Sequence, residues 1–193
     1  LNNFKGKLML IFNPTDFFSF QKPDFFSQPY IQNIQSLETF DEMILDLKSF
    51  SKDSLKLYTP PEIKFRLFSK KDSFEELLTS VSKVVPHWVD FFKKDSIENI
   101  YCAFSNEQIV SFCLLEEFKY FSGQKIAGPG CVGTTPEFRR KNIGLKLVQN
   151  ATSILKERNF DLSYIHWTGV PYWYAKLGYK TFLRWNKNGI LEI

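Results

Sequence analysis

Cysteine is scarce, with three residues (Cys102, Cys113 and Cys131) in a chain of 193. They are too few and too scattered for a disulfide framework, and no Cys/His spacing suggests a metal. Buried thiols in a reducing compartment are the expectation. Charge of one sign is equally sparse: 25 Lys+Arg against 21 Asp+Glu leave a formal net charge of +4. A chain that tracks phosphates along a duplex carries a basic stripe, and none is present, so nucleic acid is not an expected partner. No apolar run is long enough to cross a bilayer and no signal-peptide pattern is seen. A cytoplasmic protein without a membrane partner is expected. The chain opens on Leu1 rather than Met, so its true start is expected upstream.

Aromatic residues are abundant. With 21 Phe, 8 Tyr and 4 Trp they make up 17% of the chain, so ring packing must build much of the core. At 44% hydrophobic and 24% charged the composition is that of an ordinary globular protein. The length allows one substantial domain, or one domain and part of a second.

From residue 63 onward the periodicities alternate. Ile63 to Phe68 reads as a strand, and Ser73 and Glu76 at capping-box spacing open a helix whose apolar stripe runs from Phe74 to Val85. Pro86 stops it, and His87 to Lys94 reads as a second short helix with Trp88, Phe91 and Phe92 on its buried side. Ile100–Phe104 and Gln108–Phe118 form a hairpin around Ser105-Asn106-Glu107. Ile126 to Thr135 is a strand weakened by Gly128, Pro129, Gly130 and Gly133, which points to a bulge or a close backbone approach. Residues 144–158 form the strongest helix. Leu162–Trp167, a short helix from Tyr172 to Leu177 and a strand from Tyr179 to Trp185 complete the order β-α-α-β-β-β-α-β-α-β. The fold class is α/β, with a mixed (α+β) sheet and helices on its faces. Residues 1–60 are less regular: a strand at Lys7–Phe12, a Phe-rich loop to Pro29, a weak helix from Tyr30 to Phe40, a strand at Met43–Leu47 and a linker from Ser49 to Pro61.

The segment Val132-Gly133-Thr134-Thr135-Pro136-Glu137-Phe138-Arg139-Arg140-Lys141-Asn142-Ile143-Gly144-Leu145 carries the most chemistry. A strand ends, a basic loop turns and the longest helix begins. The first turn of a helix presents unpaired N–H groups and the positive end of its dipole, a cradle suited to pyrophosphate. Arg139, Arg140 and Lys141 add charge, and Gly144 is read as removing a Cβ that would hold an anion away.

Arg139 to Gly144 resembles the R/Q-x-x-G-x-G/A loop of the GNAT superfamily of acyl-CoA-dependent N-acetyltransferases. Thr134 to Phe138 resembles its V-x-P-e-y lead-in. The loop's first glycine is Asn142 here, and Asn is the non-glycine residue best suited to positive φ, so the cradle is expected to form. Tyr172 to Tyr179 is similar to the family's f-Y-e-k-l-G-F, with its tyrosine at Tyr174. The resemblance covers about residues 63–185. It implies a GNAT-like fold at 61–193: a central, splayed, mostly antiparallel sheet flanked by helices, open between the domain's fourth and fifth strands. Residues 1–60 are then a partial N-terminal unit, the trailing half of a first GNAT unit plus a linker.

The resemblance also implies a function. Acetyl-CoA is the cosubstrate, held by Val132, Gly133, Thr134, Arg139, Arg140, Lys141, Asn142, Ile143, Gly144 and Leu145. Tyr174 is the acid that protonates the departing thiolate. No metal is expected. Base candidates are His166, whose ordinary pKa suits the task, and the acids Glu116 and Glu117. Alternation turns only one of these acids inward, and Glu117 is the expected one. The stretch Ile165 to Pro171 resembles the I-x-W-x-G-p segment of glucosamine-type enzymes, which makes a small amino sugar the expected acceptor. A protein or peptide acetyltransferase and a non-catalytic acyl-CoA sensor remain alternatives, and a homodimer stays open.

Overall fold

The computed structural model describes residues 14–35, 38–118 and 121–191. One eight-stranded sheet organises them. Its strands in chain order are β1 (Phe40–Asp46), β2 (Ile63–Leu67), β3 (Ile100–Ser105), β4 (Gln108–Glu117), β5 (Ile126–Thr134), β6 (Leu162–Thr168), β7 (Lys180–Asn186) and β8 (Gly189–Leu191). Their order across the sheet is β2-β3-β4-β5-β6-β1-β7-β8, with every pairing antiparallel except β5 with β6. Six helices cover it: α1 (Pro14–Gln21), α2 (Pro29–Gln32), α3 (Phe74–Ser82), α4 (Val89–Lys94), α5 (Ile143–Glu157) and α6 (Pro171–Ala175). No helix among the described residues is long and apolar enough to cross a membrane.

The expected elements from residue 63 onward are present, with ends shifted by a residue or two. Ser73 caps α3 by accepting from the Glu76 N–H at 3.2 Å. The reciprocal half of the capping box is spent elsewhere, because the Glu76 carboxylate accepts from the Ile109 N–H and pins α3 to β4. The β3–β4 hairpin turns on Asn106 and Glu107, both at positive φ, as a tight two-residue turn requires.

Each face of the sheet carries its own core. On one face α5 packs Leu147, Ala151 and Leu155 against Tyr101, Cys113, Leu115 and Ala127. On the other, α3 and α4 bring Leu77, Val81 and Phe92 onto Phe104, Phe112 and Leu114. That second face continues under α1 as an aromatic layer of Phe17, Phe18 and Phe25 against Tyr164 and Trp185. Phe91, expected on the buried side of its helix, is 51% exposed, because a six-residue helix has room for little more than Phe92 on its inner line.

The N-terminal third differs most from expectation. Residues 14–21 are helical rather than loop, helix after Pro29 stops at Gln32, and Phe40 opens a strand instead of closing a helix. The expected strand at Lys7–Phe12 lies outside the described residues. The strand expected at Met43–Leu47 is β1, and it runs between β6 and β7. Arg184 clamps it to β7 with two bonds to the buried Asp41, of 2.6 and 2.8 Å. Residues 49–61, expected as a linker, lie along α5: Gln149 donates to the Lys52 and Leu55 carbonyls, Lys156 to that of Phe50, and Phe50 is buried.

A chain beginning at residue 61 loses β1 and leaves unpaired main-chain groups along both β6 and β7. It is expected to show no cooperative thermal transition by circular dichroism and to aggregate on size exclusion. A sharp melt near that of the full chain would show that β1 is dispensable.

Candidate functional site

The site begins where β5 loses a neighbour. β5 and β6 pair only at Ile126–Leu162 and Ala127–Ser163. The cause is readable in the ladder. Phe118 N–H bonds the Ile126 carbonyl, and the register sets Glu116 opposite Gly128 and Leu114 opposite Gly130. Alternation therefore turns residues 126, 128 and 130 toward β4, and 127 and 129 toward β6. Residue 129 is proline, which has no N–H to give, so the pairing with β6 stops there. Beyond it a bulge at Cys131 (φ 47°) places two residues of β5 opposite one of β4. Further on, the Thr135 N–H bonds the Val110 carbonyl, which turns the N–H and carbonyl of Thr134 away from β4 and into the gap. Arg139 Nε takes that carbonyl at 3.0 Å.

The loop after β5 then reverses through two left-handed residues, Arg140 (φ 63°) and Asn142 (φ 58°). Asn142 thus adopts the backbone expected of it, at a cost below the roughly 1 kcal/mol of most side chains. The first helical bond of α5 runs from the Lys146 N–H to the Asn142 carbonyl at 2.9 Å, so the N–H groups of Ile143, Gly144 and Leu145 have no helical partner. Arg139, Arg140 and Lys141 are exposed around them. Ile143 and Leu145 are buried, so only their main chain serves this cradle. Gly144 also serves the packing: a Cβ there would lie 2.8 Å from Thr134 Oγ1 and 3.4 Å from the Trp173 ring. The glycine lets the head of α5 seat on the end of β5. Beside the loop, Asn142 Nδ2 donates to the Tyr58 carbonyl, and a cavity of about 250 Å³ opens among Lys52, Lys56, Tyr58 and Lys146. Burial and the nearby Lys52 charge push the Lys146 amine down.

Tyr174 lies on the α5 side of the gap, 7% exposed, packed with Leu145, Ile165 and Tyr179. Burial pushes its phenol well above the ordinary value, and its hydroxyl has no hydrogen-bond partner among the described residues. Cys131, at the bulge, is pushed by burial to about 12.

The opposite face of the gap carries the acids. Glu117, the expected base candidate, is exposed at the end of β4 on the α5 side. Its neighbour Glu116 is the residue turned inward. Its carboxylate lies over Gly130, where a Cβ would sit 2.4 Å from Oε2, so the glycine makes room for the acid. Glu116 lines a cavity of about 300 Å³ with Phe91, Lys94, Asp95, Ser96 and Leu114. Burial raises its pKa, partly opposed by His166 and Lys22 and reinforced by Asp95.

His166 stands on β6 on that same second face, and its partner was not foreseen. Glu42 of β1 is fully buried and accepts from the Tyr164 hydroxyl, from Trp167 N–H at 3.2 Å and from Trp185 Nε1 at 2.7 Å. His166 Nδ1 lies 2.9 Å from Glu42 Oε2. The register slips on both sides of Glu42, in β6 between the partners of Asp41 and Met43 and in β7 between those of Glu42 and Met43. The β6 slip, with Trp167 at φ 53°, releases the Trp167 N–H from the ladder toward the carboxylate. The sequence signal was the pair Asp41-Glu42 inside a strand-like run: alternation must bury one acid on each face, and each needs donors.

Comparison with known proteins agrees with this geometry. Residues 96–181 match the family model "Acetyltransferase (GNAT) domain", which covers the hairpin, the gap, the loop, α5 and α6. No curated protein matches the chain. Among solved structures, a glucosamine N-acetyltransferase region of a fungal multi-domain GH3 β-N-acetylglucosaminidase superposes with a TM-score of 0.66 at 20% identity, covering 77% of this chain and 20% of that one. A GCN5-related N-acetyltransferase from Sphaerobacter thermophilus gives 0.60 at 18% identity, over 78% of this chain and 50% of that one. A GCN5-related N-acetyltransferase from Kribbella flavida gives 0.51 at 15%, over 75% and 55%. The chain thus spans between a fifth and about half the length of these relatives. Its fold is that of the GCN5-related N-acetyltransferases, and residues 96–181 are similar to the GNAT domain.

Because burial holds the folded-state Glu116 pKa above the ordinary 4.5, ionising the carboxyl costs the folded chain more than the unfolded one. That penalty is present above the folded pKa and disappears below the unfolded value. Glu116→Gln is therefore expected to be more stable than the parent at neutral pH, with the difference closing toward about pH 4. Denaturant melts of the two proteins across this range check it; a variant no more stable at pH 7 contradicts it.

Proposed function

We propose that this chain is an acetyl-CoA-dependent N-acetyltransferase acting on the primary amine of a small molecule, with an amino sugar such as glucosamine as the leading acceptor class. The carrying observation is the gap after Pro129, with unpaired N–H groups at its loop end and carboxylates on one face. Residues 139–145 fit a diphosphate by donor chemistry, since three main-chain N–H groups are free of helical bonds and basic side chains surround them. The Lys52, Lys56 and Lys146 cavity beside the loop suits the coenzyme's further phosphate. The half-buried Lys146 amine, with Lys52 beside it and only partly offset by Asp53, gains from an anion.

The acceptor side rests on Glu116 and Asp95. Two carboxylates against the single ammonium of Lys94 at a cavity of about 300 Å³ favour a small cation. Phe91 offers an exposed ring beside them, suited to the face of a sugar. The Ile165–Pro171 segment and the fungal relative, itself a glucosamine N-acetyltransferase region, favour the same class.

Transfer is direct. A thiol held at about 12 is protonated at neutral pH, which removes Cys131 as a nucleophile. The Thr134 N–H, facing the gap, is positioned to hold the carbonyl oxygen as it gains charge. Tyr174, kept neutral by burial and with its hydroxyl uncommitted, donates its proton to the departing sulfur. The sensor alternative rested on Asn142 in place of glycine and on the absence of an acid from Ile126–Thr135; the left-handed backbone of Asn142 weakens the first ground. We extend the proposal to residues 1–60, as the trailing half of a first GNAT unit whose strand β1 was retained in this sheet.

Isothermal calorimetry with acetyl-CoA, followed by free-thiol release with an amine panel led by glucosamine, tests the reading. Binding without thiol release from any amine would favour a sensor. Within it, Tyr174→Phe is expected to lower kcat by about a hundredfold or more while leaving the calorimetric affinity for acetyl-CoA unchanged. Full turnover at saturating substrates would remove Tyr174 from the chemistry.

A further inference from the structure

The Glu42 carboxylate reaches more donors than packing requires, and their chemistry fixes the state of each partner. Trp185 Nε1–H and Trp167 N–H can only donate, and both go to Oε1. Oε2 takes the Tyr164 hydroxyl and faces His166 Nδ1. Burial and the Glu42 charge push the Tyr164 phenol well up, so it stays protonated and donates. Tyr164 Oη also lies 3.3 Å from His166 Nδ1, but its proton is committed to Glu42 and cannot serve the ring. The ring nitrogen next to a carboxylate oxygen must then carry a hydrogen of its own. In the neutral ring this leaves Nε2 bare.

We infer that Glu42 is a positioning residue, carried into the sheet by β1, which locks His166 with Nδ1 as donor and Nε2 as the base for the acceptor amine. The inference rests on the acetyl-transfer reading and adds the base that reading lacks. His166 is half-buried and stands on the face of the sheet that holds the Glu116 cavity, and the charges near that cavity are Glu116 of β4, Lys94 at the end of α4, Asp95 after it and Lys22 after α1. Phe18 and Phe25 flank the ring from α1 and the turn that follows it, and exclude water on that side. In the reaction an ammonium acceptor loses one proton to Nε2, and its lone pair forms the N–C bond as the C–S bond breaks. Of the two protons the nitrogen sheds, one leaves to solvent through His166. The other balances the proton that Tyr174 gives to sulfur. The imidazolium formed on the way keeps its Nδ1–H on Glu42 and becomes one half of an ion pair.

The chain has two histidines, so 15N-histidine labelling resolves His166 once His87→Gln assigns the other pair of signals. In the wild type the neutral ring is expected as the Nδ1–H tautomer. Glu42→Gln should invert it. The two tryptophan donors cannot turn away, so the amide NH2 must face His166, which then moves its proton to Nε2. The same variant is expected to lose about a hundredfold in kcat with acetyl-CoA affinity unmoved. An Nε2–H tautomer in the wild type overturns the inference, as does an inverted tautomer with kcat intact. Should Glu42→Gln fail to fold, the wild-type spectrum and the turnover of His166→Gln decide the matter. Should no amine release thiol from the wild type, the transferase reading fails and the base role with it, while the tautomer still decides whether Glu42 sets the ring.

Discussion

Pro129 gives this sheet its opening. A parallel neighbour needs an N–H from every second residue of β5, and at the second such position, residue 129, none exists, so β6 is released after two paired residues. Everything that reads as chemistry lies along that release. Thr134 turns its N–H into the gap while Arg139 holds its carbonyl, Tyr174 closes one face, and Glu116 and His166 occupy the other. An unbroken ladder would have used the same main-chain groups to hold the sheet together. Stability given up between β5 and β6 has to be recovered elsewhere, and α5 recovers much of it by spanning both sides of the gap. Leu147, Ala151 and Leu155 pack toward β3, β4 and β5, while Leu145 and Val148 pack toward β1 and β6.

The N-terminal third completes this arrangement rather than decorating it. β1 fills the space between β6 and β7, which would otherwise present two unpaired edges inside the fold. Its alternation places Met43 and Leu45 under α5 and Glu42 on the aromatic side. The residues that follow reach the head of α5, where Asn142 bonds the Tyr58 carbonyl. One N-terminal segment therefore supports both faces of the gap, although it lies outside the stretch matched by the family model.

How much of this was legible from residues follows from which interactions are local. The helix and strand pattern after residue 63 depends on caps, stripes and turns within a few positions, and it was readable with its ends off by a residue or two. The loop at 139–145 was readable because its geometry is set by its own backbone, Asn142 included. Between Glu116 and Glu117, strand alternation shows that only one turns inward but not which. That choice depends on Gly130 of the next strand, which leaves space for one carboxylate. Glu42 was out of reach for a stronger reason. Its donors come from residues 164, 166, 167 and 185, more than a hundred positions away, and nothing local places β1 between β6 and β7.

The two acids on the second face show what the fold can and cannot neutralise. Glu42 is fully buried, yet it is met by a phenol, an indole, a main-chain amide and an imidazole, so its charge is dispersed over four donors. Glu116 has no comparable set among the described residues, and burial lifts its pKa. A carboxylate with all its bonds satisfied resists change and can hold a neighbouring ring in one tautomer. An under-solvated one gains from a cation brought to it. The first is suited to fixing geometry and the second to receiving an ammonium group, and the gap opened by Pro129 lies between the strands that carry them.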